Sequence, residues 1–183
     1  MHTLRVSELP SYTYADFQQW KGDWELVDGI PYAMTPSPVI RHQGIASKLV
    51  SSLDSSIEGC AKCLVLHEQD WMIDEATILR PDVVLVCDEP GDAYITRRPE
   101  IIFEVISHGS IKMDEQIKFR IYADEKVPYY IIVYPDELKA SVFKLKGEHF
   151  INIADFTHEK LDFNGLPCQA SVDFDAVFKR FRT

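Results

Sequence analysis

Apolar residues recur at four-residue intervals at Ile45, Leu49, Leu53 and Ile57, and that period predicts a helix over residues 39–57, after Pro36 and Pro38 and closed by Gly59. This is the main helix of the first half. Beyond it the pattern shortens to strands. Residues 63–66 and 70–73 read as two strands, and 83–87 and 100–106 as two more. Their near-continuous apolar content suits strands covered on both faces, and they are expected to build the central sheet together.

Upstream, Tyr14, Phe17 and Trp20 share one face behind Thr13, which predicts a short opening helix over 13–20 that packs through its aromatic side. Residues 24–27 alternate and end at Asp28-Gly29, a two-residue turn signature, so 30–34 returns as the partner strand of a hairpin. Downstream, 113–125 reads as a helix with Ile117, Ile121 and Tyr122 on its buried side, ended by Pro128. Residues 129–134 form the strongest strand of the chain, 138–145 and 149–153 a hairpin across Lys146-Gly147, and 173–178 a closing helix capped by an Asp. The sum is an α/β (α+β) domain with a mixed central sheet flanked by helices.

Composition narrows this picture. At 183 residues, with 46% apolar and 26% charged side chains, the whole chain 1–183 is expected to fold as one domain. A net charge of −10 argues against a global positive field that grips nucleic acid, so any DNA contact must be local, metal-assisted or made by a dimer. Met1-His2-Thr3-Leu4-Arg5 lacks the apolar core of a signal peptide, and no apolar run approaches the ~20 residues that span a bilayer. A cytoplasmic protein with reduced cysteines and no membrane contact is the expectation.

The cysteines add little at this level. Cys60-Ala61-Lys62-Cys63 with His67 has part of a zinc-ligand spacing, but a structural site needs four ligands and no second pair lies at suitable distance along the chain. The motif also falls at the end of a helix, the wrong polarity for stabilising a thiolate. Ordinary thiols are expected. A Gly-x-Ser-x-Gly elbow, a phosphate-binding glycine loop and a dinucleotide fingerprint are all absent from the sequence, against acyl transfer, P-loop hydrolysis and hydride chemistry.

The candidate chemistry lies in three segments. Asp82 heads a strand in Arg80-Pro81-Asp82-Val83, Glu104 sits inside the next strand between Phe103 and Val105, and Lys118 lies on the helix that follows. A carboxylate in the middle of an apolar strand is costly to desolvate and asks for a cation or a proton. Asp82 and Glu104 can converge on one side of a sheet, where two like charges call for Mg²⁺ or Mn²⁺ between them. Asp114, Lys118 and Tyr122, four residues apart, form a row on one helical face, and the Lys118 ammonium can steady an attacking water or a phosphate oxygen.

Each residue has a second reading. Asp82 can cap backbone amides at a strand start, Glu104 can be a structurally paired core residue, and Lys118 can be a surface lysine paired with Asp114.

In their order, these segments resemble the Uma2 (DUF820) family, which carries the PD-(D/E)xK restriction-endonuclease-like core. The resemblance rests on Trp24-Glu25-Leu26-Val27-Asp28-Gly29, the Pro81-Asp82-Val83 strand, Glu104-Val105-Ile106-Ser107, and the Asp114, Lys118, Tyr122 helix. It runs from about Tyr14 to Pro135. It implies a metal-dependent endonuclease acting on DNA, with Asp82 and Glu104 as metal ligands, Lys118 as the catalytic lysine and Glu25 as the early acidic member; Glu25 can equally be a solvent-facing strand residue. His42 and Gln43 match a His-Gln of the family but are expected to be polar first-turn residues. The chain departs from the better-known form of the fold: the position two after Glu104 is Ile106, and Ser107 is followed by His108-Gly109 where the family runs Ser-Pro. A homodimer is expected, sharing a surface through the apolar strand 129–134. From a different class, a non-catalytic module binding nucleic acid or a protein partner is the alternative.

Overall fold

A computed structural model describes residues 9–34, 39–107 and 109–182. The start of the chain, Pro36, Pro38 and His108 lie outside the described residues.

The opening helix is one turn, Tyr14–Phe17 (α1), shorter than expected, and is held by a cap in which the Thr13 backbone N–H and hydroxyl both donate to Asp16 Oδ2 at 2.9 Å. Trp24–Val27 (β1) and Ile30–Ala33 (β2) form the hairpin, and Asp28 and Gly29 take φ of 50° and 77°, as a type I′ turn requires. Ile40–Ser56 (α2) buries Ile45, Leu49 and Leu53 of the stripe read from the sequence, and adds His42 and Ala46 to it.

Strands Cys63–His67 (β3), Trp71–Asp74 (β4), Thr77–Leu79 (β5), Val83–Cys87 (β6) and Ile101–Val105 (β7) follow. A widened π-helical turn, Met113–Lys118, then runs into Phe119–Asp124 (α3). Tyr129–Tyr134 (β8), Lys139–Lys146 (β9) and His149–Phe156 (β10) come next, then the short pair Lys160–Phe163 (β11) and Ala170–Asp173 (β12). Phe174–Phe178 (α4) follows, its first turn capped by Asp173, which accepts from the Ala176 N–H at 3.2 Å, and runs on into a 3-10 turn over Lys179–Phe181.

The central sheet has six strands in the order β10-β9-β8-β7-β6-β3, with β7 and β8 parallel and every other neighbour antiparallel. It is the mixed sheet of an α+β fold. One face packs Val83, Leu85, Phe103 and Ile131 against Ile45, Leu49 and Leu53 of α2 and Phe174 and Phe178 of α4. The other packs Val84, Ile102, Tyr130 and Ile132 against Tyr122 of α3 and Trp71 of β4. Alternate residues of β6 and β7 thus enter different cores, which is why both strands are apolar but for Glu104.

Two expectations are corrected. Strand β4 does not join the central sheet: it pairs with β5, a three-residue strand that the pattern did not reveal, in a separate sheet of order β2-β1-β5-β4. Strand β8 is not a surface strand. It lies between β7 and β9 with Tyr129 through Val133 buried, so it offers no face to a second copy, and a homodimer would have to use another surface. Among the described residues, no helix is long and apolar enough to cross a membrane.

Candidate active site

The link Arg80-Pro81-Asp82 carries the chain from the small sheet into the central one, and it fixes two acidic residues. The Arg80 backbone N–H donates to Glu25 Oε1 at 2.8 Å, which holds the β1 carboxylate against the point where β6 begins. Two residues on, Asp82 accepts the Val105 N–H at 2.6 Å through Oδ2. The β6–β7 register pairs Val83 with Phe103, so one further step sets Asp82 opposite Glu104.

Lys118 is the hub. Its Nζ lies 2.8 Å from Glu25 Oε1, 3.0 Å from Glu104 Oε1 and 3.6 Å from Asp114 Oδ1. The Tyr122 hydroxyl donates to the same Glu104 oxygen at 2.8 Å. Glu25, Glu104, Asp114 and Lys118 are only 3–4% exposed, so three carboxyl groups and one ammonium share a nearly dry interior. The surface reading of Lys118 and the solvent-facing reading of Glu25 are therefore both set aside.

This burial overturns one expectation about the helix. Ile117 and Ile121 are only half-buried, while Asp114, Lys118 and Tyr122 form the buried face. The strand carboxylates supply the partners that make a polar inner face tolerable. The π-helical turn falls across Asp114 and Lys118, and such widened turns often accompany functional sites.

The electrostatics follow from the excess of acid. Burial, with Asp114, Asp82 and Glu25 nearby, holds the Glu104 carboxyl well above the ordinary range despite Lys118. Burial would lower Lys118, but Glu104, Glu25 and Asp114 outweigh it and hold the ammonium well above its usual value. Burial and the neighbouring carboxylates likewise raise the Tyr122 hydroxyl, which remains a donor.

Asp114 is pushed up to about 6, first by burial. A carboxyl raised in the folded state binds protons that the unfolded chain has lost, so its stabilising contribution is complete below the ordinary value of 3.8 and vanishes as pH rises through about 6. Unfolding free energy should therefore decline across that window by up to ~3 kcal/mol. In Asp114→Asn the decline should be smaller by that amount, and matching urea-denaturation profiles at pH 4 and pH 6.5 for both proteins would contradict it.

His42, discounted in the sequence, is part of this region. It is buried, and its Nε2 lies 3.4 Å from Asp82 Oδ2, while Nδ1 has no hydrogen-bond partner among the described residues. Burial opposes the charged imidazole, yet the hydrogen bond and charge of Asp82 raise its pKa. The signal was the position of His42 on the apolar stripe side of α2, three residues before Ile45. Asp114 and Tyr122 were visible as members of the Lys118 row, but nothing in the spacing showed that the row faces inward. Gln43, by contrast, is half-buried and donates to Glu68 Oε1 at 3.2 Å.

Among the described residues the acidic group does not bring three donor atoms within 4.8 Å of one another. Lys118 Nζ stands between Glu25 and Glu104 instead.

The four cysteines correct a further expectation. They are not scattered thiols: Cys60 Sγ contacts Cys168 Sγ, and Cys63 Sγ contacts Cys87 Sγ.

Known proteins bear on this arrangement in three ways. The sequence profile of the Uma2 family, described as "Putative restriction endonuclease", matches residues 14–172. A crystal structure from Anabaena variabilis ATCC 29413, titled as "a putative nuclease belonging to DUF820", superposes with a TM-score of 0.71 at 14% identity, covering 91% of this chain and 97% of that one. No curated protein matches the sequence. At that identity the superposition carries the fold alone, whereas the profile match spans most of the sequence. The chain belongs to the Uma2 family.

Proposed function

We propose that this protein is a metal-dependent endonuclease that hydrolyses DNA phosphodiester bonds, with Asp82 and Glu104 as ligands for Mg²⁺ or Mn²⁺ and Lys118 as the catalytic cation. The observation that carries the reading is the buried Lys118 ammonium shared by Glu25 and Glu104, with Asp82 just before β6 accepting the N–H of Val105, the residue after Glu104.

The donor set suits a hard cation, because all four acidic side chains offer oxygen and none offers sulfur or imidazole. The charge balance suits it as well. Three buried carboxyls face one ammonium, and protonation of Glu104 and Asp114 is the alternative that a divalent ion would replace. When bound, the ion would stabilise the charge that develops on the phosphoryl oxygens.

The chain's own residues do the rest. Glu25, clamped by the Arg80 N–H, is a positioning residue that sets the height of Lys118 beside Glu104. The Tyr122 hydroxyl and Lys118 both engage Oε1 of Glu104 and so fix its carboxylate plane. His42 Nε2 lies 3.4 Å from Asp82 Oδ2 and presents a donor to it. The low dielectric around these groups strengthens the field that Lys118 exerts on a phosphate brought to the strand ends.

Glu104→Gln is the decisive variant, since its amide oxygen can still accept from Lys118 and Tyr122. Supercoiled plasmid and oligonucleotides in Mg²⁺ or Mn²⁺ should be cut by the wild type and at least ~100-fold more slowly by Glu104→Gln, the scale of several kcal/mol of lost metal stabilisation. Equal cutting by both proteins, or none by either, would reject the endonuclease.

The burial of all four hub residues and the net charge of −10 favour one other reading, a non-catalytic module on the same fold. Calorimetric titration with Mn²⁺ separates the two. An endonuclease should give site-specific heat that disappears in Asp82→Asn, and a module should give none.

A further inference from the structure

We propose that Cys60, Cys63, Cys87 and Cys168 form a structural zinc site that fastens the C-terminal β11–β12 unit to the core. The four sulfurs come from three remote parts of the chain: the turn between α2 and β3, the end of β6, and the loop before β12, with separations of 24 and 108 residues. Cys60, Cys63 and Cys168 meet at one point, and Cys87 adjoins it through Cys63. Beyond the two contacting pairs, Cys63 Sγ lies 3.1 Å from Cys168 Sγ and 3.9 Å from Cys60 Sγ. The donor atoms of Cys60, Cys63 and Cys168 all fall within 4.8 Å of one another, the one such group of three among the described residues.

Two separate disulfides require only that each pair approach. Nothing in that arrangement would draw one pair onto the other, whereas a tetrahedral ion with Zn–S bonds of ~2.3 Å needs all six sulfur separations near 3.8 Å. Cys63 and Cys87 are direct ladder partners.

The chemistry of four thiolates selects a soft or borderline ion, and a closed set of four protein ligands is the arrangement of structural rather than catalytic zinc. Cys63, Cys87 and Cys168 are buried and Cys60 half-buried. A pocket of about 320 Å³ lined by Asp54, Ser55, Ile57, Glu58, Cys60 and Cys63 gives the ion a way in. The binding step balances without an oxidant: Zn²⁺ replaces four thiol protons, giving a dianionic tetrathiolate centre and four H⁺. Two disulfides would instead require an acceptor for four electrons.

Cys87 ends β6 and Asp82 precedes it, so the two sites lie about 16 Å apart along one strand. The zinc would hold the fold and leave the acidic centre to its own ion.

The test uses the full chain purified without chelator or added reductant. Denaturing intact-mass measurement should show four free thiols, native mass spectrometry one zinc per chain, and an organomercurial should release that zinc as the thiols react. Co²⁺ in place of Zn²⁺ should give thiolate-to-cobalt charge transfer with tetrahedral d–d bands. Cys87→Ser and Cys168→Ser should each lower zinc content at least about tenfold. If those variants do not fold, the wild-type Co²⁺ spectrum decides. A chain four hydrogens lighter with no zinc, or a fully reduced chain that takes up neither Zn²⁺ nor Co²⁺, would overturn the proposal, and neither outcome touches the nuclease reading.

Discussion

Replacing Lys118 by methionine is expected to destabilise the fold by about 3–5 kcal/mol at pH 7, the scale for removing one partner from a buried charge cluster. The lost attraction is the smaller part of that figure. Methionine leaves Glu25, Glu104 and Asp114 buried within reach of one another and without a cation, so the folded state must carry unpaired carboxylates or take up protons.

Proton uptake gives the effect a sign in pH. Glu104 and Asp114 are already raised by burial, and removal of Lys118 raises them further. The folded variant then binds more protons than the unfolded chain, so its deficit against wild type should shrink at pH 5 and grow at pH 8. Adding Glu104→Gln should restore part of the loss, because a neutral amide tolerates burial without the ammonium. Urea denaturation of the three proteins at those pH values measures all of this. A loss below about 1 kcal/mol, the range of an exposed pair, would mean that Lys118 is not the hub of a buried cluster.

The parts of this molecule legible in the sequence are those in which apolar side chains report their own burial. The stripe Ile45, Leu49, Leu53 marks α2 because each side chain enters the core, and the unbroken apolar runs of β6 and β8 mark strands covered twice. Asp28-Gly29 marks its turn because positive φ selects those residue types. Glu104 was legible for the opposite reason, as a charge where the pattern allows none.

What escaped is burial that does not look apolar. Asp114 and Lys118, beside a Tyr122 that the pattern already buries, read as a solvated pair, since only the third dimension brings Glu25 and Glu104 to meet them. The two sheets escaped because pairing is non-local: β4 is as apolar as a central strand, and nothing within it says that β5 rather than β6 is its neighbour. The cysteines escaped likewise, because Cys87 and Cys168 each contribute singly and leave no paired spacing to read.

Asp82 is the residue whose two readings can be separated most cleanly, because the structure gives it both jobs. As a strand-start cap, its Oδ2 accepts the Val105 N–H at 2.6 Å, and as a proposed metal ligand it would use its charge. Asparagine keeps an acceptor for that N–H and loses only the charge. Asp82→Asn should therefore unfold within about 1 kcal/mol of wild type in metal-free buffer, yet cleave DNA at least ~100-fold more slowly. Asp82→Ala removes both, leaves a backbone donor without its partner, and should cost a further 1–3 kcal/mol or so of stability. If Asp82→Asn cut as fast as wild type while Asp82→Ala unfolded early, the carboxylate would be a cap alone. The acidic centre would then have to hold its ion through Glu104 and Glu25, the two groups that Lys118 already occupies.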